Sequence, residues 1–492
     1  MEHSKNFNVS NGRNLTMLVD FYELTMANGY LDNNVQDKIA YFDMFFRRIP
    51  DGGGYCIMAG VQQLIEYLSN LKFSNDDISY LKSKCVFSED FIDYLKNFKF
   101  SCDVWAVPEG YPVFPGEPLV IVKGPIMQAQ FVETMILLTI NHQTLIATKA
   151  SRICRSAKGK PVMEFGSRRA QGYDGAIYGA RAAVIGGCVG TACTIADELF
   201  DIPALGTMAH SWVQLFDTEY DAFKAWAKTY PDNCVLLIDT YNVLRSGVLN
   251  AIKVFNDVLK PMGKRPVGIR IDSGDITYLT KKVRIMLDKA GYDDVKITVS
   301  NSLDEYIIRG VLENGAQIDN FGVGERLITA RSEPVFGGVY KLVAVETAGQ
   351  IIPKIKISEN EEKITNPAFK KLYRIFDKKS HKAIADLITL HDEKIDESKP
   401  LEIFNPIYTW KKRNLKNYYI KDLQVKIFEN GQPLYESPSV MEIKAFSAKE
   451  VSKLWPEVLR LENPHAYYVD FSWNLWNLKQ GLLNHYSEAL ED

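Results

Sequence analysis

The sequence predicts an α/β protein whose middle region forms an irregular (β/α) TIM-like barrel, and three observations predict it. Short apolar runs recur between residues 145 and 345: PVMEFGSRR, ALGTMAH, CVLLIDTYN, VGIRIDSGD, VKITVSNS and IDNFGVGE. Their markers Phe165, Met208, Ile238, Ile271, Val299 and Phe321 lie 43, 30, 33, 28 and 22 residues apart. The intervals, VLRSGVLNAIKVFNDVL and DITYLTKKVRIMLDKAG among them, carry the period of amphipathic helices. Alternation at this spacing implies parallel strands joined by right-handed crossovers. Each run also ends in functional residue types: Arg168 and Arg169, His210, Asp239, Asp272 and Asp275, Asn301, then Gly322 and Gly324. A doubly wound open sheet fits the alternation equally well, but there only the strands at the switch point reach a ligand. A barrel brings every strand end to one mouth, so six decorated ends favour it. Six strands can be counted and the others cannot, hence the expectation of an irregular barrel.

The flanking regions are read in order. Residues 1–143 mix helical and strand signals, and VWAVPEGYPVFPGEPLVIVKGP at 104–125 breaks into short β-runs at Pro-Glu-Gly and Pro-Gly-Glu turns. Residues 144–346 hold the barrel. Residues 347–492 open on a charge-dense stretch, KISENEEKITNP, which reads as an exposed loop. They close on a helical stripe of Leu475, Leu478, Leu482 and Tyr486, expected to pack in the core or against another subunit. The run Lys411, Lys412 and Arg413 reads as a solvated face.

Composition limits the function. The 492 residues are 46% hydrophobic and 24% charged, values of an ordinary globular chain of two or three domains. The formal net charge of -3 argues against general nucleic-acid binding. Seven scattered cysteines, none in a CxxC pair and none beyond Cys234, suggest a reduced cytoplasmic protein without a zinc ribbon. The N-terminal MEHSKNFNVSNGRN has no apolar core of a signal peptide. The longest uncharged stretches, 134–148 and 182–196, are too short and polar to span a bilayer.

The strand ends carry the chemistry. Adjacent arginines in GSRRAQG would point to opposite sides of an extended segment, one towards a phosphate and one towards a carboxylate, unless both are surface charges. The glycines of FGVGE either make a tight turn or let backbone N–H groups approach a phosphate. In IRIDSGD, alternation places Arg270 and Asp272 on one face. They either pair structurally or bind an anion and, respectively, a ribose hydroxyl or Mg²⁺; desolvating both at a strand end without a ligand is costly. His210 is the one histidine at a barrel-strand end, and with no HxH or HExxH spacing it reads as a nucleophile or acid–base group rather than a metal ligand. Arginines, glycines, carboxylates and one histidine, with no Walker A motif, suit a phosphorylated sugar and a second small anion.

LVDFYELTMANGY, EFGSRRAQG, GTMAHSW, LLIDTYN, IRIDSGD, VSNSLDE and FGVGERL together resemble the nicotinate phosphoribosyltransferase family, in its order and spacing, from about residue 17 to residue 342. The resemblance implies an irregular α/β barrel beside a smaller α+β domain, and a cytoplasmic homodimer with shared active sites. It implies formation of nicotinate mononucleotide and pyrophosphate from nicotinate and 5-phosphoribosyl 1-pyrophosphate, with Mg²⁺ carried on pyrophosphate and with ATP hydrolysis coupled through a phosphohistidine. Carried over residue by residue, His210 matches the phosphorylated histidine and Tyr22 the tyrosine stacking on the pyridine ring, with Phe165 offered for the other face. Arg270 and Thr207 match positions that hold nicotinate, and Arg168 adds charge beside the substrates. Asp272 is assigned to the ribose, Gly322 and Gly324 to the 5-phosphate, and Asp239 and Asn301 to site organisation or Mg²⁺. Glu325 departs from the Thr or Asn common there, and no role is carried to it. Some relatives hold zinc through C-terminal cysteines; this chain has none there, so no zinc is expected. A nicotinamide-specific phosphoribosyltransferase and a non-catalytic binding protein of the same fold are the rival readings. TMAHSW and GSRRAQG favour the nicotinate branch over the first, and retention of Arg270, Asp272 and His210 speaks against the second.

Overall fold

A computed structural model describes residues 13–360 and 363–488. Most of the polar N-terminal segment, and residues 361–362 of the charge-dense stretch, lie outside the described residues. The chain forms two compact units: Met1–Leu145 with Val335–Pro438 and Ala445–Asp492, and Ile146–Pro334 with Ser439–Lys444.

The second unit carries a six-stranded parallel sheet, and its strands are β1 (Val162–Glu164), β2 (Gly190–Thr191), β3 (Val235–Leu237), β4 (Gly268–Ile271), β5 (Lys296–Ser300) and β6 (Asn320–Val323). Their order is β2-β1-β6-β5-β4-β3, with Thr298 opposite Arg270 and Phe321 opposite Val162. This is a mixed α/β fold whose sheet curls into a half-barrel. Val162, Leu236, Ile269, Ile271, Val299 and Phe321 are buried, as expected for parallel strands covered on both faces. Asp275 caps the following helix, Ile276–Lys289, by accepting from the Tyr278 N–H at 2.9 Å. Val283 and Leu287, four apart on that helix, are buried in the unit.

One expected strand is absent. ALGTMAH runs irregularly past the sheet, with only Ala204 bridging to Thr191. Pro203, which cannot donate to a ladder, precedes it, and Gly206 interrupts it. The strand in that place is Gly190–Thr191, too short to leave a periodic signal in the sequence. The interval 243–259 also differs from a regular helix, with π-helical turns at Val243–Gly247 and Phe255–Leu259 around a short α-helix.

In the first unit the β-runs at 104–125 become strands Asp103–Ala106, Pro112–Val113 and Val120–Pro125. A seven-stranded antiparallel sheet joins the first and last of these to Ile39–Phe46, Gly338–Thr347 and Val425–Glu429, whereas Pro112–Val113 pairs with Cys56–Ile57. A second sheet of six strands is built from 370–471, a stretch in which the sequence showed no clear pattern. Its strands Lys370–Asp377 and Ala383–Leu390 each bury a charge. Arg374 grips Asp386 with Nε and Nη2 at 2.8 and 2.6 Å, and Lys370 meets Asp43 at 2.9 Å. A paired buried ion of this kind costs several kcal/mol if one partner is removed. Of the C-terminal stripe, Leu475 is buried and Tyr486 exposed. Among the described residues no helix is long and apolar enough to cross a membrane.

Candidate active site

The parallel strands of the second unit open onto a cavity of about 500 Å³. Residues just past β1 line it (Phe165, Ser167, Arg168), as do the irregular 205–210 segment with Thr207 and His210, and Arg270 with Asp272 at the end of β4. Six residues singled out in the sequence therefore meet in one place: Phe165, Arg168, Thr207, His210, Arg270 and Asp272.

Arg270 is the centre of the arrangement. Its side chain is 15% exposed. Nε donates to Ser300 Oγ at 2.8 Å, Nη1 reaches Thr207 Oγ1 at 3.4 Å, and Nη2 donates to Asp272 Oδ1 at 3.1 Å. The guanidinium also lies over the Phe165 ring, 5.5 Å from its centre. His210 Nδ1 lies 3.1 Å from Thr240 Oγ1, and its Nε2 lies 3.9 Å from Asp272 Oδ2. Asp239 stands one layer back: its Oδ2 accepts from the Asp272 N–H at 3.0 Å and from Ser273 Oγ at 2.6 Å. Its Oδ1 is buried with no hydrogen-bond partner.

A buried carboxyl supports the loop carrying Phe165 and Arg168. Glu164 is fully buried in β1, and burial pushes its carboxyl above the usual carboxylate range. It accepts from the Gly166 N–H and bonds Thr191 Oγ1 at 2.6 Å, tying the loop to β2. Residues Ser167–Arg169 form a 3-10 turn, so the expectation that Arg168 and Arg169 alternate on an extended segment is corrected: Arg168 lines the cavity because the turn rotates it there.

Other expected residues fall elsewhere. Gly322 and Gly324 sit behind Phe165: a Cβ on Gly322 would lie 2.6 Å from Phe165 Cδ2, and one on Gly324 would lie 3.0 Å from the Phe165 carbonyl oxygen. Asn301 follows β5 with φ of 112°, a left-handed conformation disfavoured for a side chain, and is exposed. Glu325 pairs with Arg331 at 3.3 Å. Tyr22 belongs to the first unit, on helix Phe21–Asp32, where it is 44% exposed. Burial and the carboxylate of Glu133 push its hydroxyl pKa up. Sequence reasoning missed Ser300, Thr240 and Glu164. For Ser300 a signal existed: it stands at a strand end, with Thr298 two residues before it opposite Arg270. Among the described residues no group of three or more His, Cys, Asp or Glu is placed to hold a metal ion.

Three segments match the described domains of one enzyme family. Residues 17–141 match the nicotinate phosphoribosyltransferase N-terminal domain, 161–380 the nicotinate phosphoribosyltransferase family, and 369–479 the C-terminal domain. The chain belongs to the nicotinate phosphoribosyltransferase family. A family member from Bacillus subtilis, nicotinate phosphoribosyltransferase, is 43% identical over 97% of both chains. The crystal structure of human nicotinic acid phosphoribosyltransferase superposes with a TM-score of 0.84 at 28% identity, covering 94% of this chain and 99% of that one. A nicotinate-nucleotide pyrophosphorylase from Pyrococcus furiosus shares the fold, with a TM-score of 0.68 at 22% identity over 92% of this chain and 97% of that one. The cavity residues come from the 161–380 segment that matches the family.

Proposed function

We propose that this chain joins nicotinate to 5-phosphoribosyl 1-pyrophosphate, releasing nicotinate mononucleotide and pyrophosphate, a step that returns nicotinate to NAD. The observation that carries the reading is Arg270, a largely buried cation tied on three sides yet lining a cavity beside an aromatic ring. Such a group suits a small planar carboxylate, held by charge-assisted hydrogen bonds with its ring near Phe165.

The reaction needs no enzymic nucleophile. The pyridine nitrogen lone pair forms a bond to the anomeric carbon as the bond from that carbon to the pyrophosphate oxygen breaks, and no proton moves. Positive charge develops on the ribose, where a carboxylate at the position of Asp272 is favourable, while Arg168 neutralises departing negative charge. Fixing the ring nitrogen in line with the anomeric carbon supplies the rest. Mg²⁺ enters on the pyrophosphate as part of the substrate and offsets its charge. Asp239, with a buried and unpartnered Oδ1, is the residue that fits contact with it.

The finer reading is part of the same proposal. His210 accepts phosphate from ATP, the sheet closes as an irregular barrel, and the enzyme is a cytoplasmic homodimer in which Tyr22 of one subunit completes the other's site. Pyrophosphate release tests the function, measured with Mg²⁺ and 5-phosphoribosyl 1-pyrophosphate and with nicotinate or nicotinamide, each with and without ATP. Turnover with nicotinate, raised by ATP, is expected. Turnover with nicotinamide alone would overturn the substrate assignment, and silence with both would leave a binding protein.

A further inference from the structure

We infer that Ser300 is a positioning residue for nicotinate: its hydroxyl keeps Arg270 from being captured two-pronged by Asp272, and so leaves the end of the guanidinium fork for the substrate carboxylate. This rests on the reading that Arg270 receives nicotinate. Ser300 is the last residue of β5 and is 4% exposed. Its Oγ accepts from Arg270 Nε at 2.8 Å and donates its single proton to Asp272 Oδ1.

The geometry of a guanidinium explains why this matters. Nε and Nη2 form one edge of the fork, and a carboxylate that takes both makes the strongest arginine pair. Asp272 stands two residues from Arg270 on the same face and is placed to do so. Ser300 occupies the Nε side instead, so that Asp272 receives only Nη2, at 3.1 Å. Asp272 Oδ1 in turn is satisfied by the serine proton. Of the five guanidinium N–H groups, one goes to Ser300, one to Asp272 and one reaches Thr207, at 3.4 Å. Two remain, one each on Nη1 and Nη2, the pair that a second carboxylate can accept.

Replacing Ser300 by alanine leaves Nε without its acceptor beside a carboxylate able to take it. Arg270 then turns into a bidentate clasp with Asp272, and the fork that faced the cavity is lost. Alanine adds no atom, so the pairing of residue 300 with Gly322 on β6 is undisturbed.

The test is steady-state kinetics on wild type, Ser300→Ala, Arg270→Lys and the double variant, with thermal midpoints beside them. Wild-type turnover of nicotinate is read first, and its absence sinks the functional reading itself. Given that turnover, Ser300→Ala is expected to raise the nicotinate KM about tenfold, the size of one lost hydrogen bond to a charged group. The KM for 5-phosphoribosyl 1-pyrophosphate should change less than about twofold, and the preference for nicotinate over nicotinamide should fall. Lysine has no Nε–H edge, so in the Arg270→Lys background the loss of Ser300 should add almost nothing. Equal rises in both KM values, or full additivity in the double variant, would overturn the proposal. If Ser300→Ala lowers the thermal midpoint, Ser300→Cys, equal in shape but a weak donor and acceptor, must give the same split between the two substrates, and its failure to do so would also overturn it.

Discussion

Gly322→Ala probes whether the glycine at the end of β6 exists for a phosphate or for Phe165. The added Cβ would lie 2.6 and 2.8 Å from two carbons of the Phe165 ring. The ring must retreat by roughly 1 Å to regain ordinary carbon–carbon contact. Overpacking of this kind costs about 1–3 kcal/mol. β6 is buried and hydrogen-bonded on both sides, whereas Phe165 is partly exposed at the cavity wall, so the ring yields before the strand. The cost then falls on the site rather than on folding, since Phe165 also backs the Arg270 guanidinium. If most of it is expressed in binding, the nicotinate KM rises by a factor of about 5 to 100. Nicotinate kinetics and a thermal midpoint are measured on Gly322→Ala with and without Phe165→Leu, which removes the clashing ring edge. The expected outcome is a raised nicotinate KM, a nearly unchanged midpoint, and partial recovery in the double variant. An effect confined to 5-phosphoribosyl 1-pyrophosphate, with no recovery, would refute the packing argument in favour of a phosphate cradle.

Two other measurements address the histidine and the helix that bears Tyr22. His210→Ala should abolish ATP stimulation and acid-labile phosphate on the protein while slow ATP-independent synthesis persists; labelled phosphate remaining on the variant would place the phosphorylation elsewhere. Glu23, fully buried beside Tyr22, has its carboxyl raised from 4.5 to about 7, chiefly by burial and further by Glu133. Its folded value lies above the unfolded one, so its stabilising contribution is complete below pH 4.5 and is lost as pH rises through about 7. At about 1.4 kcal/mol per pKa unit, the loss is bounded at about 3.5 kcal/mol. Thermal midpoints followed from pH 4.5 to 8 should fall more in wild type than in Glu23→Gln, and parallel curves would remove Glu23 as the cause.

Five of the six apolar runs are strands of the parallel sheet, because a strand buried on both faces must be apolar along its length, and that mark survives in a linear sequence. The polar residue types after each run were equally legible, and three of them, Arg168, His210 and Asp272, line one cavity together with Phe165, Thr207 and Arg270. The sixth run failed for a local reason: ALGTMAH is apolar because it lines the cavity, and composition alone does not separate a lining segment from a strand. The six-stranded sheet of 370–471 was hidden because its charges, Arg374 with Asp386 and Lys370 with Asp43, are buried in pairs, which reads in sequence as solvated surface.

The sequence by itself therefore determined the alternation of strands and helices, the chemical types at the strand ends, and the family to which those motifs point. Tertiary structure alone decided how those groups are used. Ser300 is an ordinary strand residue until parallel pairing sets β5 beside β4 and brings its hydroxyl between Arg270 and Asp272. Thr240 is one polar residue among many until the chain folds it against His210 Nδ1. Nothing along the chain shows that the ring of Phe165 lies against Gly322, where an added Cβ would meet it at 2.6 Å. The reason is physical: periodicity and residue type are properties along the chain, whereas hydrogen-bond geometry and steric exclusion exist only between segments that folding has brought within a few ångströms.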